Sequence, residues 1–241
     1  MSSPTIAVET HTPQEAGSRM TAVIFDMDGV LVDGEPLHFA AVNEILAAEG
    51  ASLDVDSYRR YLGTTLQHTW DDLRNRLNLR HDFAYYAQRY DAAVMEQYRN
   101  RARPTAGALA LLERLRLAGI PCAVASSSNR RWVDAALNAL AMRHYFTVTV
   151  AGDEVAQSKP HPEIYRAAAD QLGEAPRDCL VVEDAPAGIE SGRRAGMRVI
   201  AVRTEMTDGV SLEGATHTID SLDQFDLAWL DEPQPAHGNE N

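Results

Sequence analysis

Short apolar runs bounded by turn residues alternate with segments of helical periodicity over most of the chain. The apolar runs predict β-strands at residues 21–26, 120–126, 146–151, 179–183 and 198–202. Helical segments are predicted at about residues 105–118, 129–141, 161–172 and 186–195. Such alternation is typical of right-handed βαβ units, so the pattern predicts an α/β fold with a doubly wound parallel sheet.

The stretch between the first and second predicted strands has a different pattern. Residues 35–102 show no strand signal, and their apolar side chains recur at helical spacing. We predict an all-helical cap domain here, inserted into a core domain formed by residues 20–34 and 103–228. A cap in this position would lie over the carboxyl ends of the strands, where lids exclude water and select substrates.

The two ends of the chain are polar and aperiodic. Residues 1–19 predict a disordered leader and residues 229–241 a disordered acidic tail. The leader lacks the basic start and apolar centre of a signal peptide. No apolar run reaches the roughly 18 residues needed to cross a bilayer. We therefore expect a soluble, cytoplasmic protein.

The composition narrows the possible partners. The 241 residues carry a net charge of −13, which argues against nucleic acid or an anionic membrane as a partner. Cys122 and Cys179 lie in apolar runs without ligand-like spacing to another Cys or His, so we expect two reduced core cysteines. The oligomeric state is open, and a monomer is favoured over a homodimer.

Candidate chemistry begins where the first predicted strand ends. That strand leads directly into Asp26 and Asp28, two carboxylates two residues apart. Like charges this close at the end of a buried strand are costly unless a cation or a reaction requires them. Open α/β sheets bind ligands at the carboxyl ends of their strands. The pair therefore predicts a metal-assisted active site with one carboxylate free to act as a nucleophile or an acid.

Three later strand ends add complementary groups. The second strand runs into Ser126–Asn129, whose hydroxyls and backbone N–H groups at a helix start can cradle a phosphate. The third is followed by Lys159 in a proline-rich loop, and the fourth ends in Glu183 and Asp184. Because the carboxylates outnumber the ammonium group, a phosphate substrate needs a further cation here. Mg²⁺ is the natural choice, since it prefers hard oxygen ligands.

General chemistry then predicts phosphoryl transfer. One Asp attacks phosphorus to form an aspartyl-phosphate, while the other protonates the leaving oxygen and afterwards activates water. Lys159, Ser126 and Mg²⁺ offset the charge on the phosphoryl oxygens. Lys159 is also the one lysine among 22 basic residues. This indicates a position where the broader arginine side chain would not fit, the alternative being chance survival of a surface lysine.

Taken in order, these residues resemble the four motifs of the haloacid dehalogenase (HAD) superfamily: Asp26-x-Asp28-Gly29, Ser126, Lys159-Pro160-His161-Pro162 and Glu183-Asp184. The likeness covers roughly residues 21–225. It is in particular to the β-phosphoglucomutase-like phosphatases, which have a helical cap after the first motif. It implies a doubly wound, Rossmann-like core and a Mg²⁺-dependent phosphatase for a small phosphorylated metabolite, with sugar phosphates as the default substrates.

The resemblance also implies roles for individual residues. Asp26 would be the nucleophile and Asp28 the general acid/base. Ser126 and Lys159 would bind the phosphate.

The metal ligands implied by the resemblance come from the first and fourth motifs. They would be the Asp26 side chain, the Asp28 backbone carbonyl and the Asp184 side chain. Glu183 would either coordinate the metal as well or support the site from beside it.

Further substrate contacts are expected from the loop after the second strand and from the cap. The candidates are Ser127, Ser128, Asn129, Gly63, Thr64, Thr65 and His38. The two serines could instead be helix-capping residues, and His38 could be a solvated or packed helical residue. Trp70 is expected in the core of the cap rather than as a substrate platform.

Two other functions remain open beside the phosphatase. A β-phosphoglucomutase-like mutase would carry an arginine in the cap loop for a second phosphate, but Leu66 stands there, and Arg130 could replace it only in part. Hydrolysis is therefore favoured over mutase activity. A non-catalytic binding protein on the same scaffold would be expected to have a broken motif, and none of the four is broken.

Overall fold

The strands form one parallel sheet in the computed structural model, which describes residues 19–61, 64–207 and 209–232. The order across the sheet is β3-β2-β1-β4-β5-β6, the doubly wound arrangement that the alternation predicted. The strands are β1 (Ala22–Phe25), β2 (Cys122–Ala125), β3 (Phe146–Val150), β4 (Cys179–Glu183), β5 (Arg198–Val202) and β6 (His217–Ile219).

The strand β6 was not predicted from the sequence. It pairs in parallel with β5, with Ile200 opposite His217. It lies at the sheet edge and consists of two polar residues and one apolar residue, so it makes no apolar run that could be recognised. The other five strands are confirmed, with the ends of β1 and β2 one or two residues inside the predicted limits.

Four α-helices lie in the described part of residues 35–102, where an all-helical insertion was predicted. They are α1 (Glu35–Ala48), α2 (Val55–Tyr58), α3 (Leu66–Leu77) and α4 (Phe83–Arg101), which we call the cap helices. Three of them start at a residue whose side chain accepts a hydrogen bond from the backbone N–H three positions on, namely Asp54, Thr65 and Asp82. The division into a cap domain at 35–102 and a core domain stays a prediction.

The remaining helices lie beside the sheet and confirm the predicted alternation. They are α5 (Ala108–Leu117), α6 (Arg130–Ala139), α7 (Glu163–Leu172) and α8 (Pro186–Ala195). Successive β1 residues face opposite sides of the sheet. Val23 and Phe25 join an apolar cluster that continues into the cap helices, while Ala22 and Ile24 join one formed with α7 and α8. With both faces covered, β1, β2, β4 and β5 are buried along their whole length.

The chain ends bear on two sequence predictions. Most of the predicted leader and tail lies outside the described residues. The first residues of the predicted tail are described and pack on the core, since Leu230 is buried and Arg198 donates to the Trp229 carbonyl at 2.6 Å. Cys122 and Cys179 are buried free thiols, as expected. Among the described helices, none is both long and apolar enough to span a membrane.

Candidate active site

The site lies where the two halves of the sheet meet. β1 is the strand between β2 and β4, and the register pairs Phe25 with Val182. The residues that follow, Asp26 and Glu183, therefore lie side by side at the carboxyl edge of the sheet. The backbone N–H of Asp26 continues the ladder by donating to the Val182 carbonyl at 2.9 Å. In doubly wound sheets, ligands bind at this point, where the order of the strands reverses.

Lys159 lies between two of the predicted carboxylates. Its ammonium donates to Oδ1 of Asp26 at 2.5 Å, to Oε1 of Glu183 at 2.7 Å and to the Ala125 carbonyl at 3.0 Å. The Lys159 side chain is only 6% exposed, so it is not a surface lysine that survived by chance. Three acceptors match the three ammonium protons, whereas an arginine would bring five donors into the same space.

The loop that carries Lys159 is held by the first residue of α7. The Glu163 carboxylate accepts hydrogen bonds from the backbone N–H groups of Ala156 at 2.8 Å and Gln157 at 3.0 Å. The Lys159 ammonium also lies 4.8 Å from the ring centroid of Tyr165. These contacts direct the lysine inward, toward the carboxyl end of β1.

Burial and the shared cation shift the pKa values at this edge. Desolvation raises the pKa of Asp26 to about 7, although Lys159 acts to lower it. For Lys159, desolvation by itself would lower the pKa, but the charges of Asp26 and Glu183 raise it above its ordinary value. One ammonium shared by two buried carboxylates does not compensate both of them. The electrostatics therefore favour an additional cation.

Both oxygens of Glu183 are already engaged. Oε1 accepts from Lys159 and, at 2.8 Å, from the hydroxyl of Tyr165. Oε2 accepts from the backbone N–H groups of the next two residues, at 2.9 and 3.0 Å. A Cβ at Gly188 would lie 1.6 Å from Oε1, so α8 leaves room for this carboxylate only as glycine. Of the two roles expected for Glu183, the geometry favours supporting Lys159 over coordinating a metal.

Asp184 lies against the loop that follows β1. A Cβ at Gly29 would be 2.1 Å from Oδ2 of Asp184, and the φ of Gly29 is 83°, so this position requires glycine for both reasons. Desolvation, together with the charges of Glu183 and Asp26, raises the pKa of Asp184 to about 9. A second carboxylate at this edge is thus poorly compensated by Lys159.

The arrangement fits a hard divalent cation. The side chains of Asp26 and Asp184 and the backbone carbonyl of Asp28 are oxygen donors of the type Mg²⁺ takes, and this ion usually keeps several waters and a substrate phosphate in its shell. Within the described ranges, no three His, Cys, Asp or Glu side chains form a preformed metal group. The proposed ligands include only two carboxylate side chains, the third ligand being a backbone carbonyl, so they do not make up such a group. Metal coordination by these residues stays a prediction.

Asp28 is held between the core and the cap. Oδ2 accepts a hydrogen bond from the Ser128 hydroxyl at 2.9 Å, and Oδ1 accepts one from the Tyr98 hydroxyl, in α4, at 2.6 Å. Burial and the charge of Asp28 keep the pKa of Tyr98 well above its ordinary value. The phenol therefore stays protonated and available as a donor.

The loop after β2 brings the predicted serines to the site. Ser126 is buried, and its Oγ accepts from the Ser128 backbone N–H at 3.1 Å. Ser127 is exposed. Asn129 caps α6, because its Oδ1 accepts from the Trp132 backbone N–H at 3.0 Å. Capping is thus the observed contact of Asn129, whereas Ser128 binds Asp28.

His38 is packed among aromatic side chains rather than solvated. Its Nδ1 lies 2.7 Å from the Tyr90 hydroxyl and its Nε2 lies 3.1 Å from the Tyr98 hydroxyl. Through Tyr98 it is connected to Asp28. Whether His38 also contacts a substrate stays a prediction.

Of the predicted cap loop, the structure describes Thr64 and Thr65, whose hydroxyls take part in hydrogen bonds within the cap. Gly63 lies outside the described residues. Thr64 donates to the Tyr61 carbonyl at 2.8 Å, and Thr65 caps α3. Both threonines are exposed. Trp70 is fully buried and stacked on Tyr86, with ring centroids 5.0 Å apart, as expected for the core of the cap.

Several polar residues near the site were not predicted. Tyr165 binds Glu183, Tyr98 binds Asp28, and Glu35 accepts from the Tyr58 hydroxyl at 3.2 Å. Burial raises the pKa of the Glu35 carboxyl. The tyrosines occur in the sequence as members of apolar helical faces, so their hydroxyl partners could not be read from periodicity.

Comparison with known proteins defines the class to which this fold and site belong. A profile of haloacid dehalogenase-like hydrolases matches residues 20–196. The chain therefore belongs to the haloacid dehalogenase-like hydrolases, as the four motifs predicted.

Particular relatives span nearly the same length. The chain is 32% identical to the phosphorylated carbohydrates phosphatase of Thermotoga maritima, over 80% of this chain and 90% of that protein. It is also 32% identical to the fructose-1-phosphate phosphatase YqaB of Escherichia coli, over 77% of this chain and 97% of YqaB. These relatives confirm the prediction of a phosphatase of this family.

A solved structure agrees with the fold. A CbbY mutant from Rhodobacter sphaeroides, crystallised in complex with xylulose-(1,5)bisphosphate, superposes with a TM-score of 0.78 and 30% sequence identity. The likeness covers 88% of this chain and all of that one.

Proposed function

We propose that this enzyme is a Mg²⁺-dependent phosphatase that hydrolyses a small sugar phosphate through an aspartyl-phosphate intermediate. The observation that carries the proposal is the buried Lys159 ammonium, bonded to Asp26 at 2.5 Å and to Glu183 at 2.7 Å. A buried cation beside a buried carboxylate allows a phosphate dianion to approach Asp26. It also stabilises the negative charge on the transferring oxygens.

Two carboxylates divide the reaction into two steps. First, an oxygen of Asp26 attacks phosphorus as the bond to the sugar oxygen breaks, and protonated Asp28 gives its proton to that leaving oxygen. Second, ionised Asp28 takes a proton from water, whose oxygen attacks phosphorus and releases phosphate from Asp26. Each step uses the opposite protonation state of Asp28.

The phosphate would be held from two sides. Asp26, Asp184 and the Asp28 carbonyl would hold Mg²⁺, which offsets charge on the phosphoryl oxygens when it is bound. Ser126 and the loop that follows β2 would bind the same phosphate from the other side.

Sugar phosphates are proposed as substrates on the strength of the relatives. The two relatives are named as phosphatases of phosphorylated carbohydrates and of fructose 1-phosphate, and the CbbY mutant was crystallised with a sugar bisphosphate. Gly63, Thr64, Thr65 and His38 remain the candidates for contacts with the sugar. A cytoplasmic monomer without a nucleic-acid or membrane partner also remains the prediction.

Hydrolysis is favoured over the mutase reaction by two side chains. Leu66 is partly buried against the apolar core, so it offers no cation in the cap loop. Arg130 donates to both carboxylate oxygens of Glu154, at 2.9 and 2.5 Å, and to Thr149. Its guanidinium is therefore engaged in the core, and Arg130 does not replace the missing cap arginine.

A phosphate-release screen tests the proposal. Purified protein with Mg²⁺ is assayed against sugar and nucleotide monophosphates, with Asp26→Asn and Asp28→Ala as controls. We expect phosphate release from at least one sugar phosphate and none from Asp26→Asn. Isomerisation in the presence of a sugar bisphosphate, without phosphate release, would indicate a mutase. Binding of esters without any turnover would indicate the non-catalytic alternative.

A further inference from the structure

Two residues of the cap helix α4 donate or accept side-chain hydrogen bonds across to the core. The two residues, Asp91 and Tyr98, are seven positions apart, which is about two helical turns. Tyr98 reaches the Asp28 carboxylate, and Asp91 reaches the beginning of α6. The same helix therefore connects the contact with Asp28 to a contact beside the loop 126–129. We call this loop, which is proposed to bind phosphate, the phosphate loop.

Asp91 binds two consecutive residues of α6. One carboxylate oxygen accepts from the Arg131 guanidinium at 2.6 Å, and the other accepts from the Trp132 indole N–H at 2.9 Å. The Trp132 ring also packs against His38 and Tyr90, with centroids 5.5 and 5.7 Å away. Both oxygens of one cap carboxylate are thus bound by the core.

The core side of this contact is continuous with the phosphate loop. Asn129, which directly follows the serines, caps α6 through the Trp132 backbone N–H. Ser128 in that loop donates to one oxygen of Asp28, while Tyr98 donates to the other. Asp28 consequently has both hydrogen bonds only while α4 rests on the core.

We propose that Asp91 is a positioning residue that locks α4 onto α6 and thereby holds the Tyr98 hydroxyl on Asp28. The proposal rests on the proposed function, in which Asp28 is the general acid/base. Without the Asp91 contacts, the cap tilts away from α6, Tyr98 leaves Asp28, and the carboxylate samples orientations unsuited to proton transfer. Displacement by about 1 Å is enough to slow a catalytic step substantially.

Substrates with different leaving groups can distinguish a positioning role of Asp91 from a purely structural one. A sugar alkoxide needs a proton from Asp28 to leave, whereas p-nitrophenolate leaves without one. Hydrolysis of the aspartyl-phosphate needs Asp28 as a base for either substrate. A variant with a misplaced Asp28 therefore transfers the phosphoryl group from p-nitrophenyl phosphate at a normal rate and then hydrolyses the intermediate slowly.

The test is stopped-flow and steady-state kinetics of Asp91→Ala and Tyr98→Phe with Mg²⁺, using p-nitrophenyl phosphate and the best sugar phosphate. We expect steady-state turnover of the sugar phosphate to fall by about tenfold to about 100-fold in both variants. With p-nitrophenyl phosphate, we expect a rapid burst of about one nitrophenolate per enzyme followed by a slowed steady state. The exposed α4 variant Arg99→Ala serves as the matched control and should behave as wild type.

Further variants keep the inference testable if Asp91→Ala does not fold. Arg131→Ala removes the partner on the core side, whose side chain is 67% exposed, and should give the same pattern in weaker form. The exchange of Asp91→Arg with Arg131→Asp should recover part of the loss. Normal kinetics in Asp91→Ala and Arg131→Ala, or equal slowing of the burst and the steady state, would overturn the inference. Failure of the wild-type enzyme on every ester would instead overturn the proposed function.

Discussion

The core edge and the cap hold the two aspartates of one short loop in different ways. Asp26 is bonded to Lys159 and to the β4 backbone, both of which belong to the core. Asp28 is bonded to Ser128 of the core and to Tyr98 of the cap. The residue proposed as the nucleophile is therefore prepared without the cap, whereas the proposed acid/base is complete only with it.

Under the proposed roles, nucleophilic attack and proton transfer therefore depend on the cap to different extents. A nucleophile fixed within the sheet edge can react with any phosphate that reaches it. An acid/base that depends on the cap performs its proton transfers only when the cap rests on the core. Since lids exclude water and close around the substrate, this dependence would, under the proposed roles, couple proton transfer to closure of the cap.

Replacement of Asp26 tests whether the core supplies the nucleophile. Asp26→Asn keeps the size of the side chain but removes the nucleophile, so turnover of every phosphate ester should fall by at least about 10³-fold, whatever its alcohol. Phosphate release with Mg²⁺ measures the loss. Asp170→Asn, an exposed carboxylate change in α7, is the control and should retain wild-type turnover. Residual activity above a tenth of wild type would show that another group attacks phosphorus.

Lys159 provides a second test of the core edge. Lys159→Met leaves Asp26 and Glu183 buried without their shared cation, which should lower the free energy of unfolding by about 3–5 kcal/mol and abolish turnover. Lys159→Arg keeps the charge but adds donors and bulk, so it should also be inactive. Chemical denaturation and phosphate release are the measurements. An active Lys159→Arg enzyme would show that the lone lysine is not required by the site.

The support behind Lys159 can be disturbed through one methyl group. Gly188→Ala places a Cβ where the Glu183 carboxylate lies, so Glu183 must move away from Lys159 and Tyr165. We expect stability to fall by about 1–3 kcal/mol, together with a loss of activity. In Gly119→Ala the glycine has positive φ and no atom within 4 Å of the added Cβ, so stability should fall while activity is kept. Unchanged activity in Gly188→Ala would mean that Glu183 is dispensable.

Metal binding should be visible in stability even without turnover. Desolvation raises the pKa of Asp184 to about 9 and of Asp26 to about 7, from 3.8. Carboxyls with raised folded-state pKa values stabilise the protein below about pH 4, and this contribution is lost as the pH rises through about 7 and about 9. The metal-free protein should therefore lose stability as the pH rises from about 4 to about 9. Mg²⁺ should restore this stability most at the alkaline end of the range.

Thermal unfolding with EDTA or MgCl₂ at several pH values measures this effect. Asp184→Asn removes one proposed ligand and should abolish the Mg²⁺-dependent shift. An equal shift in the variant and the wild type would place the ion elsewhere.

Much of the core could be predicted because parallel strands impose simple rules. An apolar run followed by carboxylates at 26, 28, 183 and 184 marks the same edge of a sheet whichever strands are neighbours. β6 was missed because three residues of mixed polarity give too weak a pattern. Whether Glu183 coordinates the metal beside Asp184 was also left open, since adjacent carboxylates look alike in a sequence. In the structure, four hydrogen-bond donors surround Glu183, which favours a supporting role.

The sequence alone determined the family, the doubly wound sheet and the residues at its carboxyl edge, because strand periodicity and motif order are local properties of the chain. The tertiary structure decided which cap residues meet them. Asp91 and Tyr98 occur in a helix of ordinary amphipathic character, and only the packing angle of α4 on the core turns their side chains toward Arg131 and Asp28. Long-range side-chain contacts of this kind depend on how whole helices pack, and periodicity along one helix does not contain that information.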